Sequence, residues 1–213
     1  MDGTLWYAYA RNNPMTLTDP TGLVVLDVVN SGYMNTPGSD WYNATLGNTN
    51  YLIRRRGCAA TGFVRIINAE GGTEYTPLVW SPSGEDNHSA AQYITASGDL
   101  DFSAALAGET DNENPVIRVG VSLPTMLSML EQEQTGYYVM GKATIEWTEN
   151  GQTVRSPHWV NITDVTVRED GTVGIEWLGT SENDQNRTYT LGAADPGQGV
   201  FRIEEIAYVQ SAD

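Results

Sequence analysis

Two hydrophobic rhythms, one after the other, constrain what this chain can fold into. From Cys58 the apolar residues Phe63, Ile66 and Ile67 recur at helical spacing, and Gly71-Gly72 stops the run. After Gly136 the pattern becomes that of extended strands. Tyr137–Trp147 leads through a turn at Glu149-Asn150-Gly151 to His158–Val167, and Arg168-Glu169-Asp170-Gly171 turns the chain into Thr172–Leu178. Phe201–Val209 reads as a closing strand. Ala90–Ile94 and Phe102–Ala107 are expected to be short helices, as is Ser122–Leu130 with Pro124 near its start. A β-rich run, Val24–Asn30, precedes Gly-, Asn-, Pro- and Ser-rich material that extends to about Asn50. Helices first and antiparallel strands afterwards predict an α+β fold.

A length of 213 residues suits one domain or a small pair, with 40% apolar residues to build a core. The single cysteine, Cys58, excludes an intrachain disulfide, so packing alone must hold the framework. No apolar run is long enough to span a membrane, and the start has no basic and apolar segments of a signal peptide. The formal charge is −16, which repels phosphate backbones and argues against a nucleic-acid partner. Arg54-Arg55-Arg56 is too short a cluster to reverse that field. No glycine-rich phosphate loop or closely spaced ligand set is present, so no cofactor and no metal are expected. Lys142 is the sole lysine among eleven basic residues.

A lone cysteine is by default a small buried hydrophobe. Cys58, however, stands in Arg56-Gly57-Cys58-Ala59-Ala60-Thr61 at the start of the expected helix. Unpaired amides and the helix dipole favour thiolate there, and Arg56 with its neighbours is expected to add positive potential. Gly57 is expected to open the approach to sulfur, and the Cys58 N–H can serve as an oxyanion donor. A nucleophilic thiol also needs an imidazole from another element. His88, in the polar loop Gly84–Ser89, reads as solvated. His158, in Ser156-Pro157-His158-Trp159-Val160, stands at the mouth of a strand and is the expected partner.

Two resemblances follow from these residues. Tyr7-Ala8-Tyr9-Ala10-Arg11-Asn12-Asn13-Pro14, followed by Asp19-Pro20-Thr21-Gly22-Leu23, resembles the C-terminal edge of the core in Rhs/YD-repeat proteins. Those are large secreted or surface shells that carry a cargo domain, often a toxin, beyond that edge. The resemblance implies a remnant of the core at residues 1–23 and a cargo at 24–213, delivered as part of a larger protein and acting in a target cell. It also implies self-cleavage after Leu23, with Asp19 as one carboxylate of the pair and the other upstream, and a cognate immunity protein as partner. Gly57-Cys58-Ala59-Ala60-Thr61 at a helix start, with His158-Trp159-Val160 at a strand start, is similar to papain-like cysteine peptidases. The closest likeness is to those that process double-glycine bacteriocin leaders, over roughly residues 40–191. This implies a papain-like fold, with the cysteine-bearing helix packed on an antiparallel sheet. Cys58 is then the nucleophile, His158 the base, and a protein or peptide the substrate. That family has Gly or Gly-Pro after the cysteine, where this chain has Ala59-Ala60, and an Asp-Pro pair orients its histidine, where this chain has none at the matching place.

The third member of such a site is sought through hairpin register. A tight turn at Asp170-Gly171 sets His158 opposite Asn183. A longer loop over Asp164–Gly171 sets it near Glu176 instead. Asn183 is the first choice, with Glu176 and Asp184 behind it, and Asn48 or Asn50 is the side-chain oxyanion donor by chemistry alone. The same Cys–His pair also suits a deamidase or transglutaminase. A β-rich recognition module with Cys58 in its core is the non-enzymatic alternative, which six Trp and eleven Tyr would suit.

Overall fold

The computed structural model of the chain describes residues 25–110, 117–121, 125, 128, 136–149, 152–167, 173–182, 187–190 and 202–210. A short helix α1 (Ile53–Arg56) meets the longer α2 (Cys58–Gly71) at Gly57. The Gly57 N–H donates to the Ile53 carbonyl at 2.7 Å, and a Cβ on Gly57 would lie 2.6 Å from that same oxygen. Only glycine allows the two helices to join so closely. Gly72 ends α2 in the left-handed conformation (φ 63°), as the Gly71-Gly72 signal predicts. Single 3₁₀ turns follow at Pro77–Trp80 and Ala91–Tyr93. Helix α3 (Phe102–Glu109) starts where the Asp101 carboxylate accepts the Ala104 N–H.

Six strands form one antiparallel sheet: β1 (Ile117–Val121), β2 (Tyr137–Glu149), β3 (Gln152–Val167), β4 (Val173–Leu178), β5 (Arg187–Thr190) and β6 (Arg202–Gln210). Their spatial order is β1-β6-β2-β3-β4-β5. Among the described residues the fold is therefore α+β, and none of its helices is long and apolar enough to cross a membrane. β1 and β5 are not among the expected strands, although Ile117, Val119 and Val121 alternate along β1. Of the helix expected at 122–130, Thr125 and Ser128 are helical, and the rest lies outside the described residues.

Over its described part, residues 25–30, the β-rich run does not become a strand. Val25 makes one parallel bridge to Tyr137, and the Leu26 N–H donates to the Tyr137 carbonyl at 2.8 Å. From Val139 to Thr144 β2 is paired on both edges, by β3 and β6, so the ladder next to Tyr137 is closed to this segment. The β2–β3 hairpin is longer than expected, closing at Glu149↔Gln152, and His158 lies well inside β3 rather than at its mouth. Pro157 is tolerated there because β3 is paired only with β2 at that point; its ladder to β4 ends at Asn161↔Leu178.

Helix α2 packs on one face of the sheet. Phe63, Val64, Ile66 and Ile67 are buried with Tyr138 and Met140 of β2 and Ala207 and Val209 of β6. The opposite face carries Val139, Val160, Ile162 and Ile206, also buried. Close approach is possible because α2 presents Gly62 to the sheet. A Cβ there would lie 2.6 Å from the Met140 methyl and 3.3 Å from the Thr180 methyl.

Candidate functional site

Cys58 is the first residue of α2, behind a Gly57 cap that supplies no side-chain hydrogen bond. The amides of such a first turn have no helical acceptor. Burial pushes the thiol pKa up, yet the net shift is downward. His158 lowers it through a hydrogen bond and through its charge, and the Trp159 and Ala59 N–H groups each donate a hydrogen bond to sulfur. The fold thus brings together two residues a hundred positions apart in sequence, one at a helix start and the other inside a strand.

The arginines do not enter as expected. The Arg54 guanidinium lies 4.6 Å from the centre of the Tyr42 ring and that of Arg56 4.2 Å from the centre of Tyr51, where Arg56 also donates to the Ser97 carbonyl at 3.2 Å. The tyrosine rings draw these heads away, and His158 with two backbone amides carries the effect on the thiol. Gly57 likewise serves the α1–α2 junction, since the nearest atoms to an added Cβ belong to Ile53 rather than to the approach to sulfur.

Beyond His158 the hairpin register differs from both expected forms. Among the described residues the β3–β4 ladder begins at Val167↔Val173, one residue off the pairing that a two-residue turn at Asp170-Gly171 would set, and an irregularity between Ile162 and Asp164 shifts the pairing by one more residue. Glu176 consequently pairs with Asp164, six residues along β3 from His158 and so about 20 Å away. Asn183 and Asp184 lie outside the described residues. Thr180 stands against the imidazole instead: its Oγ1 is 3.0 Å from His158 Nε2 and donates to the Trp159 carbonyl at 2.6 Å. Thr180 is fully buried. Its place depends on the β3–β4 register and on the β3 irregularity, and neither has a residue signature that sequence reasoning could have used.

A buried polar network ties these pieces together. Arg65, two turns along α2 from Cys58, donates to Asn161 Oδ1 of β3 at 3.1 Å, to the Gly179 carbonyl at 2.8 Å and to the Gly32 carbonyl at 2.6 Å. Asn161 in turn donates to the Gly62 carbonyl at 3.0 Å. Aromatic contacts flank the site: Phe63 meets Phe102 edge-on at 5.1 Å, Phe102 meets Trp159 at 5.6 Å, and the Lys142 ammonium lies 6.0 Å from the Trp159 ring centre.

Asn48 and Asn50 are exposed in a turn closed by the Leu46 N–H to the Tyr51 carbonyl. His88 is not simply solvated: its Nε2 is 2.6 Å from the Glu109 carboxylate and its ring stacks on Tyr75 at 5.1 Å, with the side chain 41% exposed. Asp86 and Asn87, both at positive φ, fold the Glu85–His88 turn back so that the ring reaches α3. No family model and no curated protein matches this chain.

Proposed function

We propose that this chain is a cysteine-dependent hydrolase of the papain-like kind, the cargo domain of an Rhs-type toxin that cleaves peptide or isopeptide bonds in a target cell. The observation that carries this reading is the Cys58–His158 pair. A thiol at a helix start, pulled below its usual pKa by an imidazole from a strand, is how a nucleophile is prepared and not how a core cysteine is kept inert.

In the reaction, Cys58 sulfur attacks the substrate carbonyl carbon as thiolate, His158 having taken its proton. The carbonyl oxygen becomes an oxyanion facing the Cys58 N–H, one of the first-turn amides of α2. His158 returns the proton to the leaving amine as the C–N bond breaks, which leaves a thioester on Cys58. Water, deprotonated by His158, attacks that thioester, releasing the acid and regenerating the thiol.

The test is expression in a susceptible cell. Cys58→Ala and His158→Ala should each abolish growth inhibition, with turnover falling on the order of 10⁴-fold or more. Mass spectrometry of treated cell extract should reveal new chain termini that disappear with either variant. Full toxicity of Cys58→Ala would sink the reading. Glutamine converted to glutamate without chain cleavage would replace the hydrolase by a deamidase acting through the same pair.

A further inference from the structure

We propose that Thr180 is the positioning residue that selects the His158 tautomer, standing where a carboxylate or carboxamide would be expected. The inference rests on the hydrolase reading for its catalytic meaning but on hydrogen-bond accounting for its substance. A threonine hydroxyl has one proton to give. Thr180 Oγ1 gives it to the Trp159 carbonyl, at 2.6 Å. Toward His158 Nε2, at 3.0 Å, that oxygen can therefore only accept. A neutral imidazole facing an acceptor at Nε2 must carry its proton there, which places the basic lone pair on Nδ1. His158 then takes the Cys58 proton at Nδ1 and becomes an imidazolium with both nitrogens protonated. When it returns that proton, Thr180 still holds the Nε2–H, and the same tautomer is restored.

The turn carrying Thr180 is fixed on both sides of it. The Gly179 carbonyl accepts from Arg65 at 2.8 Å and the Thr180 carbonyl accepts from the Met34 N–H at 2.8 Å. The Glu182 N–H donates to Asn35 Oδ1 at 2.8 Å. The Trp159 carbonyl that takes the hydroxyl proton belongs to the residue after His158, and the N–H of that same residue donates to Cys58 sulfur. One peptide neighbour thus fixes the acceptor sense of Thr180 and also contacts the nucleophile. Thr180 thus supplies direction without charge.

Two measurements test this without any substrate. In ¹⁵N-resolved spectra of the full chain near neutral pH, the neutral His158 ring should show its proton on Nε2; a proton on Nδ1 overturns the proposal. Alkylation of Cys58 by iodoacetamide as a function of pH should shift to higher pH in Thr180→Val, with the rate at pH 7 falling roughly tenfold, the equivalent of one ordinary hydrogen bond. Thr180→Ser, which keeps the hydroxyl, should restore the wild-type profile. If Thr180→Val does not fold, Thr180→Ala against Thr180→Ser makes the same comparison. A profile unchanged by loss of the hydroxyl, or one lost equally with serine, overturns the proposal, as does a Asn183→Ala profile that moves while the Thr180 variants do not. Should the chain prove to hydrolyse nothing while the Nε2 proton and the Thr180 shift are both found, the hydrolase reading falls and the positioning role stands.

Discussion

At the scale of single residues, the balance at Cys58 decides the pH response. Burial raises the thiol pKa, and His158 with two amides more than offsets it. Removing the imidazole leaves the burial in place, so His158→Ala should move the midpoint of the alkylation-rate profile upward. An unmoved midpoint would show that the amides alone hold the thiolate. The same shift has a stability consequence. Because the folded thiol titrates below the unfolded one, its contribution is full above the unfolded value of about 8.5 and is lost as pH falls through the folded value. Chemical denaturation at a series of pH values should therefore show wild-type and Cys58→Ala converging toward acid. His88 gives the contrast. Its partner, the Glu109 side chain on α3, is only 2% exposed, so His88→Ala should leave growth inhibition unchanged but strand a buried carboxylate at a cost of about 1–3 kcal/mol.

At the scale of elements, the α2–β3 contact is what keeps thiol and imidazole together. Arg65 spans α2, β3 and the exit of β4, and truncating it strands buried acceptors at Gly32, Gly179 and Asn161. With each unsatisfied group costing about 1–3 kcal/mol, Arg65→Met should lower unfolding free energy by roughly 3 kcal/mol or more, measured in urea. Phe63→Ala, which removes a fully buried ring from the same helix, should cost a comparable ~3–5 kcal/mol. A loss under ~1 kcal/mol for Arg65→Met would mean that water replaces those hydrogen bonds. This is also the scale at which the sequence was most and least legible. The start of α2 at Cys58 and its stop at Gly72 follow from spacing and glycine chemistry. The His158 partnership follows from the need for a base on a second element. Thr180 does not follow, because a tight turn at Asp170-Gly171 would pair Val167 with Gly174, whereas Val167 pairs with Val173. The irregularity beside Ile162 then shifts the pairing again. A strand register is an integer set by long-range packing, and a one-residue error exchanges every neighbour.

At the scale of the whole molecule, the N-terminal boundary can be tested by truncation. Val25 and Leu26 are tied to Tyr137, and the Leu26 side chain lies 2.6 Å from where a Cβ on Gly136 would stand. Residues 24–213 should therefore fold like the full chain by circular dichroism and thermal melting, whereas 31–213, lacking that tie, should melt lower. An unfolded 24–213 would remove the boundary at Leu23. The order of strands has a different consequence, one of timing. β6 comes last in the chain but sits between β1 and β2 in the sheet. Until residues 202–210 arrive, β1 has no neighbour among the described strands and β2 presents an open edge to them. A chain threaded or synthesised from its N-terminus therefore leaves this sheet incomplete until residues 202–210 have emerged. Completion of the sheet would be an all-at-once event set by β6: a version ending before Arg202 should be unfolded or aggregated, and adding residues 202–210 as a separate peptide should restore order to it.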